Sequence, residues 1–178
     1  MVTTNSDELR EQARSKHMSG ETAEAIGLLT QAIQQDPGNT LVAMDMVQIF
    51  IDINELEPAK GLYNKLPETD KESETGKALL GQLTIRDLAA KTDGKVVLQA
   101  RVSNNDDDQD ARFDLAICLV AEHDYQQAMD SLFEILTREP DYKDGAAREM
   151  IITLTDMLAT NEPQLAKEFR RRLANTLS

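Results

Sequence analysis

Two stretches of the chain share one pattern: GETAEAIGLLTQAIQQDP at residues 20–37 and HDYQQAMDSLFEILTREP at residues 123–140. Both are 18 residues long, with Ala at the sixth place, Leu at the tenth and Pro at the last. Apolar residues recur at helical spacing in each, and a proline cannot continue a helix. The pattern predicts that the same helical element occurs at both places in the chain.

A unit of 34 residues that places its proline at position 32 extends this pattern along the chain. Its copies start at residues 6, 40, 74 and 109, so the period slips by only one residue. Ala25, Ala59 and Ala128 occupy place 20 of units one, two and four. We expect two antiparallel helices per unit, A and B, whose backbones approach most closely at the small residues of places 8 and 20.

These residues resemble the tetratricopeptide repeat, which implies helical hairpins stacked into an array. Unit three departs from the pattern, since its place 20 is Asp93 and the turn KTDGK (91–95) comes late. We predict a long helix over 73–91 and a short one over 95–103 in that unit. Two further amphipathic helices, one over about 145–159 and one after NEPQ (161–164), are expected to cap the array.

The resulting prediction is one all-α domain over 1–178 with about ten helices and no strand. Its repeat units span about 6–39, 40–73, 74–108 and 109–142, and its capping helices span 143–178.

The charge of the chain limits its partners. The net charge of −13 argues against nucleic acid and anionic lipid, which are bound through Lys and Arg. The acids concentrate in ETDKESE (68–74) and NNDDDQD (104–110), which we interpret as solvated linkers with helix-capping carboxylates. The second run lacks the alternating ligands and central Gly of a Ca²⁺ loop.

The sequence offers no clear catalytic, cofactor or metal site, so we expect no enzyme. His17 and His123 fall on different units and are expected at the surface, and no Gly-rich phosphate loop occurs. Cys118 is the single cysteine, which permits a reducing compartment, and we expect it to be buried and inert. A thiol redox enzyme that uses Cys118 is kept as the least favoured alternative. With no apolar run of spanning length and no secretory signal, the cytoplasm is the expected location.

The concave face of helix A is the predicted interaction surface. It lacks the asparagines of a carboxylate clamp and carries instead the apolar residues Leu41, Met44, Ile51, Phe113, Ile117 and Val120. One interpretation is a hydrophobic surface for unfolded segments. The other is that the long helix of unit three lies in the groove and buries these side chains.

The last third of the chain resembles the YbbN (CnoX) family. It carries the Asp-Gly-x-Ala-Arg motif as Asp144, Gly145, Ala147 and Arg148, and the aromatic-Arg-Arg-x-Leu motif as Phe169, Arg170, Arg171 and Leu173. The resemblance implies the repeat domain of a thioredoxin-fold holdase that binds unfolding proteins and the chaperonin GroEL. No thioredoxin segment or Cys-x-x-Cys motif occurs in these residues, so no redox activity is assigned to them.

The C-terminal helix adds candidate partner-binding residues, Arg170, Arg171, Leu173 and Leu177. Its apolar stripe runs to the chain end, where we expect few neighbours to cover it. Its arginines add positive charge to a chain that is otherwise acidic. The chaperonin is the partner that the resemblance supplies. The alternative function is a scaffold adaptor for a single folded partner. The oligomeric state is left open.

Overall fold

The computed structural model describes residues 5–177, which form eleven α-helices and one 3-10 turn, with no strand among them. The first six helices are α1 (Asn5–Met18), α2 (Thr22–Gln35), α3 (Thr40–Asp52), α4 (Leu56–Asn64), α5 (Glu68–Lys71) and α6 (Glu74–Ala90). The others are α7 (Lys95–Asn104), α8 (Gln109–Ala121), α9 (Tyr125–Arg138), α10 (Ala146–Asn161) and α11 (Pro163–Leu177). The 3-10 turn, Tyr142–Asp144, lies between α9 and α10. The predicted all-α fold is confirmed.

The chain divides into two compact units, one up to Leu83 and one from Thr84 onward, and the division falls within α6. In the first unit, α1 pairs with α2 and α3 with α4. In the second, α8 pairs with α9, and α10 pairs with α11 and also contacts α9. The four repeat boundaries and the single domain stay predictions.

Three helical hairpins are closed by the same turn. Gly20, Asn54 and His123 occupy one place of the repeat, and all are left-handed, with φ of 88°, 62° and 64°. In each turn the N–H of the following residue donates to the carbonyl five positions earlier, over 2.8, 2.7 and 2.8 Å. This hydrogen bond and the left-handed residue together form the Schellman motif, which satisfies carbonyls at a helix end. The turn geometry is therefore part of the repeat.

Prolines end two of the B helices where the sequence predicts. α2 stops at Gln35 and α9 at Arg138, and the residue before each proline has left the helical region, with φ of −144° and −145°. A proline ring disfavours the α conformation in the residue that precedes it. The prolines at 37 and 140 thus fix the length of these helices.

The second hairpin differs from the prediction. α4 has only nine residues, and Pro67 lies at the start of a one-turn helix, α5, within the acidic run 68–74. We predicted a solvated linker there, and this is wrong for residues 68–71. A proline fits the beginning of a helix but not its interior, so Pro67 ends one helical segment and starts another.

The small residues predicted at the helix crossings are confirmed as buried. Ala25, Ala59 and Ala128 have no exposed surface, and neither does Ala116 of α8. Ala25 shares a hydrophobic cluster with Ala13 of α1. A methyl side chain lets two helix backbones approach closely, which explains why the motif keeps alanine here.

The irregular third hairpin and the cap follow the prediction closely. α6 covers residues 74–90 and α7 covers 95–104, with Gly94 at φ 92° in the turn between them. α10 and α11 match the two predicted capping helices. Phe169 of α11 is 1% exposed and lies in the core cluster of the second unit.

Candidate protein-interaction surfaces

The predicted apolar groove is largely covered in this structure. Met44, Ile51, Ile117 and Val120 are each at most 4% exposed, whereas Leu41 is 45% exposed and Phe113 is partly buried. Met44 and Ile51 share a cluster with Leu79 and Leu83, which belong to the first half of α6. In the first unit, the long helix therefore covers the helix-A side chains, as the second interpretation proposed. The role of the six residues in partner binding stays a prediction.

Polar side chains of the first unit pair with one another across neighbouring helices. Arg10 of α1 donates to both carboxylate oxygens of Asp45 of α3, from Nε at 2.6 Å and from the guanidinium end at 3.2 Å. The hydrogen bond to this carboxylate raises the pKa of Arg10 above its usual value. A cleft of about 200 Å³ lies beside this pair and is lined in part by Arg14 and Gln48.

A second set of contacts continues this polar seam. Nε2 of His17 lies 3.0 Å from Oδ2 of Asp52, and Gln48 donates to the other oxygen of that carboxylate at 2.9 Å. Gln48 and Gln82 of α6 exchange amide hydrogen bonds of 2.8 and 2.9 Å. His17 is thus partly buried and bonded, whereas we expected a surface histidine. These groups satisfy one another, so they mainly fix the register of α1, α3 and α6.

The acidic run 104–110 acts as helix-capping structure, as predicted. Asp108 accepts the N–H of Ala111 at 3.0 Å and binds Arg101, and these contacts hold the pKa of Asp108 below its usual value. Asp107 pairs with Arg138 at 3.2 Å. No group of acids, histidines or cysteines suited to hold a metal occurs among residues 5–177.

A left-handed turn links α9 to α10. Lys143, Asp144 and Gly145 all have positive φ, of 43°, 58° and 87°. The turn is fixed by Tyr142, whose hydroxyl donates to Asp110 of α8 at 2.5 Å. Burial and this hydrogen bond raise the pKa of Tyr142 above its usual value. This geometry at Lys143 is not predictable from the sequence, because lysine has no preference for left-handed backbone.

One face of the C-terminal helix α11 packs against the rest of the second unit, and its opposite face is exposed to solvent. Arg172 donates to Asp130 of α9 at 2.7 Å, and its guanidinium lies 4.3 Å from the ring centre of Phe133. Leu173 packs against the core cluster, whereas Leu177 is 50% exposed. Arg172 thus secures the helix, a role that sequence reasoning missed.

The outer face of α11 carries the remaining candidate residues. Arg170 and Arg171 are exposed, and Arg170 lies 3.6 Å from Asp156 of α10. A cleft of about 440 Å³ lies beside Arg171 and Phe169. Arg170 and Leu177 are seven positions apart and so share one side of the helix, which is basic and partly apolar.

Cys118 is buried, and its sulfur lies 3.2 Å from the hydroxyl of Thr92. A reactive thiol requires exposure and a nearby base or cation that favours the thiolate. The thiol therefore contributes to packing between α8 and the turn that links α6 to α7. Within the described part of the chain, no helix is long and apolar enough to cross a membrane.

Comparison with known families agrees with the helical hairpins. The chain matches the tetratricopeptide repeat over residues 88–177 and again over residues 17–83. It belongs to the tetratricopeptide repeat family. Such repeats are protein–protein interaction modules and are typically non-catalytic.

An uncharacterized protein of Haemophilus influenzae is similar to this chain. The two are 27% identical over 154 residues, which cover 86% of this chain and 70% of the relative.

Proposed function

We propose that this chain is the repeat domain of a holdase-type chaperone that binds unfolding proteins and docks on a chaperonin through α11. The observation that carries the proposal is the end of α11, where Arg170 and Arg171 are exposed and Leu177 is half exposed, so that basic and apolar side chains are accessible on an acidic chain. The motifs shared with the YbbN (CnoX) family support GroEL as the partner. A cytoplasmic location belongs to the same proposal.

The structure guides the choice of variant for the docking test. A deletion of residues 172–178 also removes Arg172, which ties α11 to Asp130, and so confuses docking with stability. The double substitution Arg171→Glu with Leu177→Ser changes exposed side chains only. Arg14→Glu with Met18→Ser on α1 is a matched control, because both of its residues are exposed and Met18 is 82% exposed.

Binding to purified GroEL is measured by interferometry with the wild type and both double variants. We expect the α11 variant to lose binding and the α1 control to keep it. The α11 substitutions reverse one charge and remove one apolar side chain, and both kinds of contact contribute to a small interface. Circular dichroism checks that both variants remain folded. Wild-type affinity in the α11 variant rejects docking through this surface.

Holdase activity requires its own test, because the apolar groove offers little open surface. Light scattering follows the aggregation of several unrelated, thermally unfolding proteins with and without this chain. A holdase keeps more than one of them soluble. Protection of none rejects the chaperone activity whatever the result for GroEL.

The burial of Met44, Ile51, Ile117 and Val120 favours a second candidate function, a scaffold adaptor for a single folded partner. An adaptor needs a defined patch such as the α11 end, and no adaptable groove. It is expected to bind one partner stoichiometrically and to leave aggregation unchanged. The redox alternative at Cys118 is tested by alkylation of the native thiol.

A further inference from the structure

One face of α11 lies on the core of the second unit. Ala166 and Phe169 are at most 1% exposed, and Leu165 and Leu173 pack against the same hydrophobic cluster. Residues at these spacings share one side of a helix, so α11 buries a continuous apolar stripe. Phe133 of α9 belongs to that cluster too. A movement of α11 away from α9 would expose both the stripe and the part of the core beneath it.

The hold on α11 is weaker than that on its neighbour α9. Two of its 15 residues are buried, against six of 14 in α9. It pairs with α10 and contacts α9 less extensively. Arg172 makes the polar contact with α9, because it binds Asp130 at 2.7 Å and lies over the ring of Phe133. We call these three side chains the latch; its ion pair is solvent-exposed, and exposed ion pairs are weak.

A cleft of about 440 Å³ lies between α11 and the first turn of α9. Gln126 lines it from α9, and Arg171 and Arg172 line it from α11. Phe169 also lines the cleft, although this residue is only 1% exposed. The cleft thus reaches the edge of the apolar stripe without exposing it, and two basic side chains lie beside it.

This arrangement bears on the binding of unfolding proteins, which present apolar segments. The helix-A side chains expected to receive such segments, Met44, Ile51, Ile117 and Val120, are each at most 4% exposed. An apolar surface that is covered in the folded chain has to be uncovered by a local movement. Local openings involve the elements with few buried apolar contacts, and α11 is such an element.

We propose that α11 is a lid, and that its release from α9 uncovers a binding surface for an apolar segment flanked by acidic side chains. The apolar segment lies between Phe133 of α9 and the stripe that contains Phe169. Release separates Arg172 from Asp130, so that its guanidinium binds an acidic group of the partner, with Arg171 beside it. This inference rests on the proposed binding of unfolding proteins and is independent of docking on GroEL.

Opening of the lid and binding of the segment are linked. A helix of 15 residues is only marginally stable alone in water, so the amides of α11 exchange when it leaves the core. The affinity for a segment that binds only the open form is reduced by the fraction of molecules that are open. A change that raises this fraction therefore accelerates exchange of α11 and tightens binding by the same factor.

Two variants move the lid in opposite directions. Asp130→Ala removes the ionic part of the latch and leaves the sequence of α11 intact. Glu122→Ala is its matched control, because the ion pair with Lys95 is also 2.7 Å long and similarly exposed but does not involve α11. Asp130→Cys with Arg172→Cys, joined by a short bis-maleimide, ties α11 to α9. Cys118 is buried and is expected to react slowly, so the bridge forms at the two introduced thiols.

Hydrogen exchange of α11 is measured by mass spectrometry, and binding by fluorescence anisotropy of a labelled peptide of Leu and Phe with Glu at both ends. We expect Asp130→Ala to accelerate exchange and to tighten binding, each by about two- to fivefold, whereas Glu122→Ala changes neither. Bridging is expected to weaken binding by about tenfold or more relative to the unbridged double variant. The same peptide with Lys at both ends is expected to bind weakly to every form.

Equal binding by the bridged and unbridged forms overturns the lid, and so does exchange of α11 that Asp130→Ala leaves unchanged. Equal affinity for the two peptides overturns the recognition of acidic flanks. The light-scattering assay separates the lid from the function on which it rests. If the bridged form suppresses aggregation as well as the wild type does, the lid is wrong and the proposed function stands. If no form suppresses aggregation, the proposed function itself is wrong.

Discussion

Gly76→Ala is expected to destabilise the first unit although it replaces glycine by a better helix former. Gly76 lies in the first turn of α6, against the one-turn helix α5. A Cβ added there would lie 2.1 Å from the carbonyl oxygen of Asp70 and 2.7 Å from that of Lys71. Ordinary van der Waals contact begins near 3.4 Å, so α5 and α6 must separate by more than one ångström.

The size of the loss follows from two opposing terms. Forcing an extra carbon against rigid backbone costs roughly 1–3 kcal/mol. The gain in helix propensity from Gly to Ala is at most about 1 kcal/mol and is smaller in a first turn. We therefore expect a net loss of about 1–2 kcal/mol in the free energy of unfolding.

Gly27→Ala in α2 is the matched control. A Cβ at Gly27 meets no atom within 4 Å, and the residue is exposed in the middle of its helix. This substitution is expected to stabilise the chain by about 0.5–1 kcal/mol. The two identical chemical changes thus have opposite signs, which separates the steric effect from propensity.

Urea unfolding followed by far-ultraviolet circular dichroism gives both free energies, and hydrogen exchange reports whether α5 is released. If Gly76→Ala is as stable as the wild type while Gly27→Ala is stabilising, the close approach of α5 to α6 is wrong.

Four other substitutions and one thiol modification test the repeat assignment, the cap at Asp108 and the buried thiol. Ala25→Leu and Ala128→Leu should each lower the free energy of unfolding by roughly 1–3 kcal/mol through overpacking. Unchanged thermal melts would contradict the assignment of these alanines to the helix crossings of the repeat. Asn54→Gly should raise the melting temperature, because only glycine adopts a φ of 62° freely; a lower value contradicts the turn assignment. Asp108→Ala should lower the melting temperature at neutral pH. Its folded pKa is depressed, so this contribution is present above the unfolded pKa of about 4 and is lost as the pH falls through the folded value; a pH-independent difference would contradict the cap. Cys118 should react slowly with a thiol reagent in the native protein and rapidly in denaturant, and equal rates would indicate an exposed thiol.

The regular parts of this fold follow from local sequence. Alanine at the crossings and proline after the B helix act over a few residues, so the hairpins around Ala25 and Ala128 are predictable. The late turn at Gly94 is also a local signal. Pro67 is a local signal too, and it could have indicated the early end of α4.

The candidate surfaces were less predictable because they depend on distant neighbours. Helical periodicity identifies Met44 and Ile51 as positions on an apolar face, but it does not indicate that α6 covers their side chains. The contact between Arg172 and Asp130 joins residues 42 positions apart, and no pattern in either helix indicates it.

The shared Schellman turn has a consequence for how fast the chain acquires its structure. Each turn completes its defining hydrogen bond across five residues, so a hairpin can close before any of its neighbours has formed. Chains dominated by such short-range closure search little conformational space and fold on microsecond to millisecond timescales. Asn54 and His123 adopt the left-handed conformation less readily than Gly20 does. We therefore expect the turns at Asn54 and His123 to close more slowly than the turn at Gly20. Stopped-flow refolding of Asn54→Gly would show a faster rate if closure of the second hairpin limits folding.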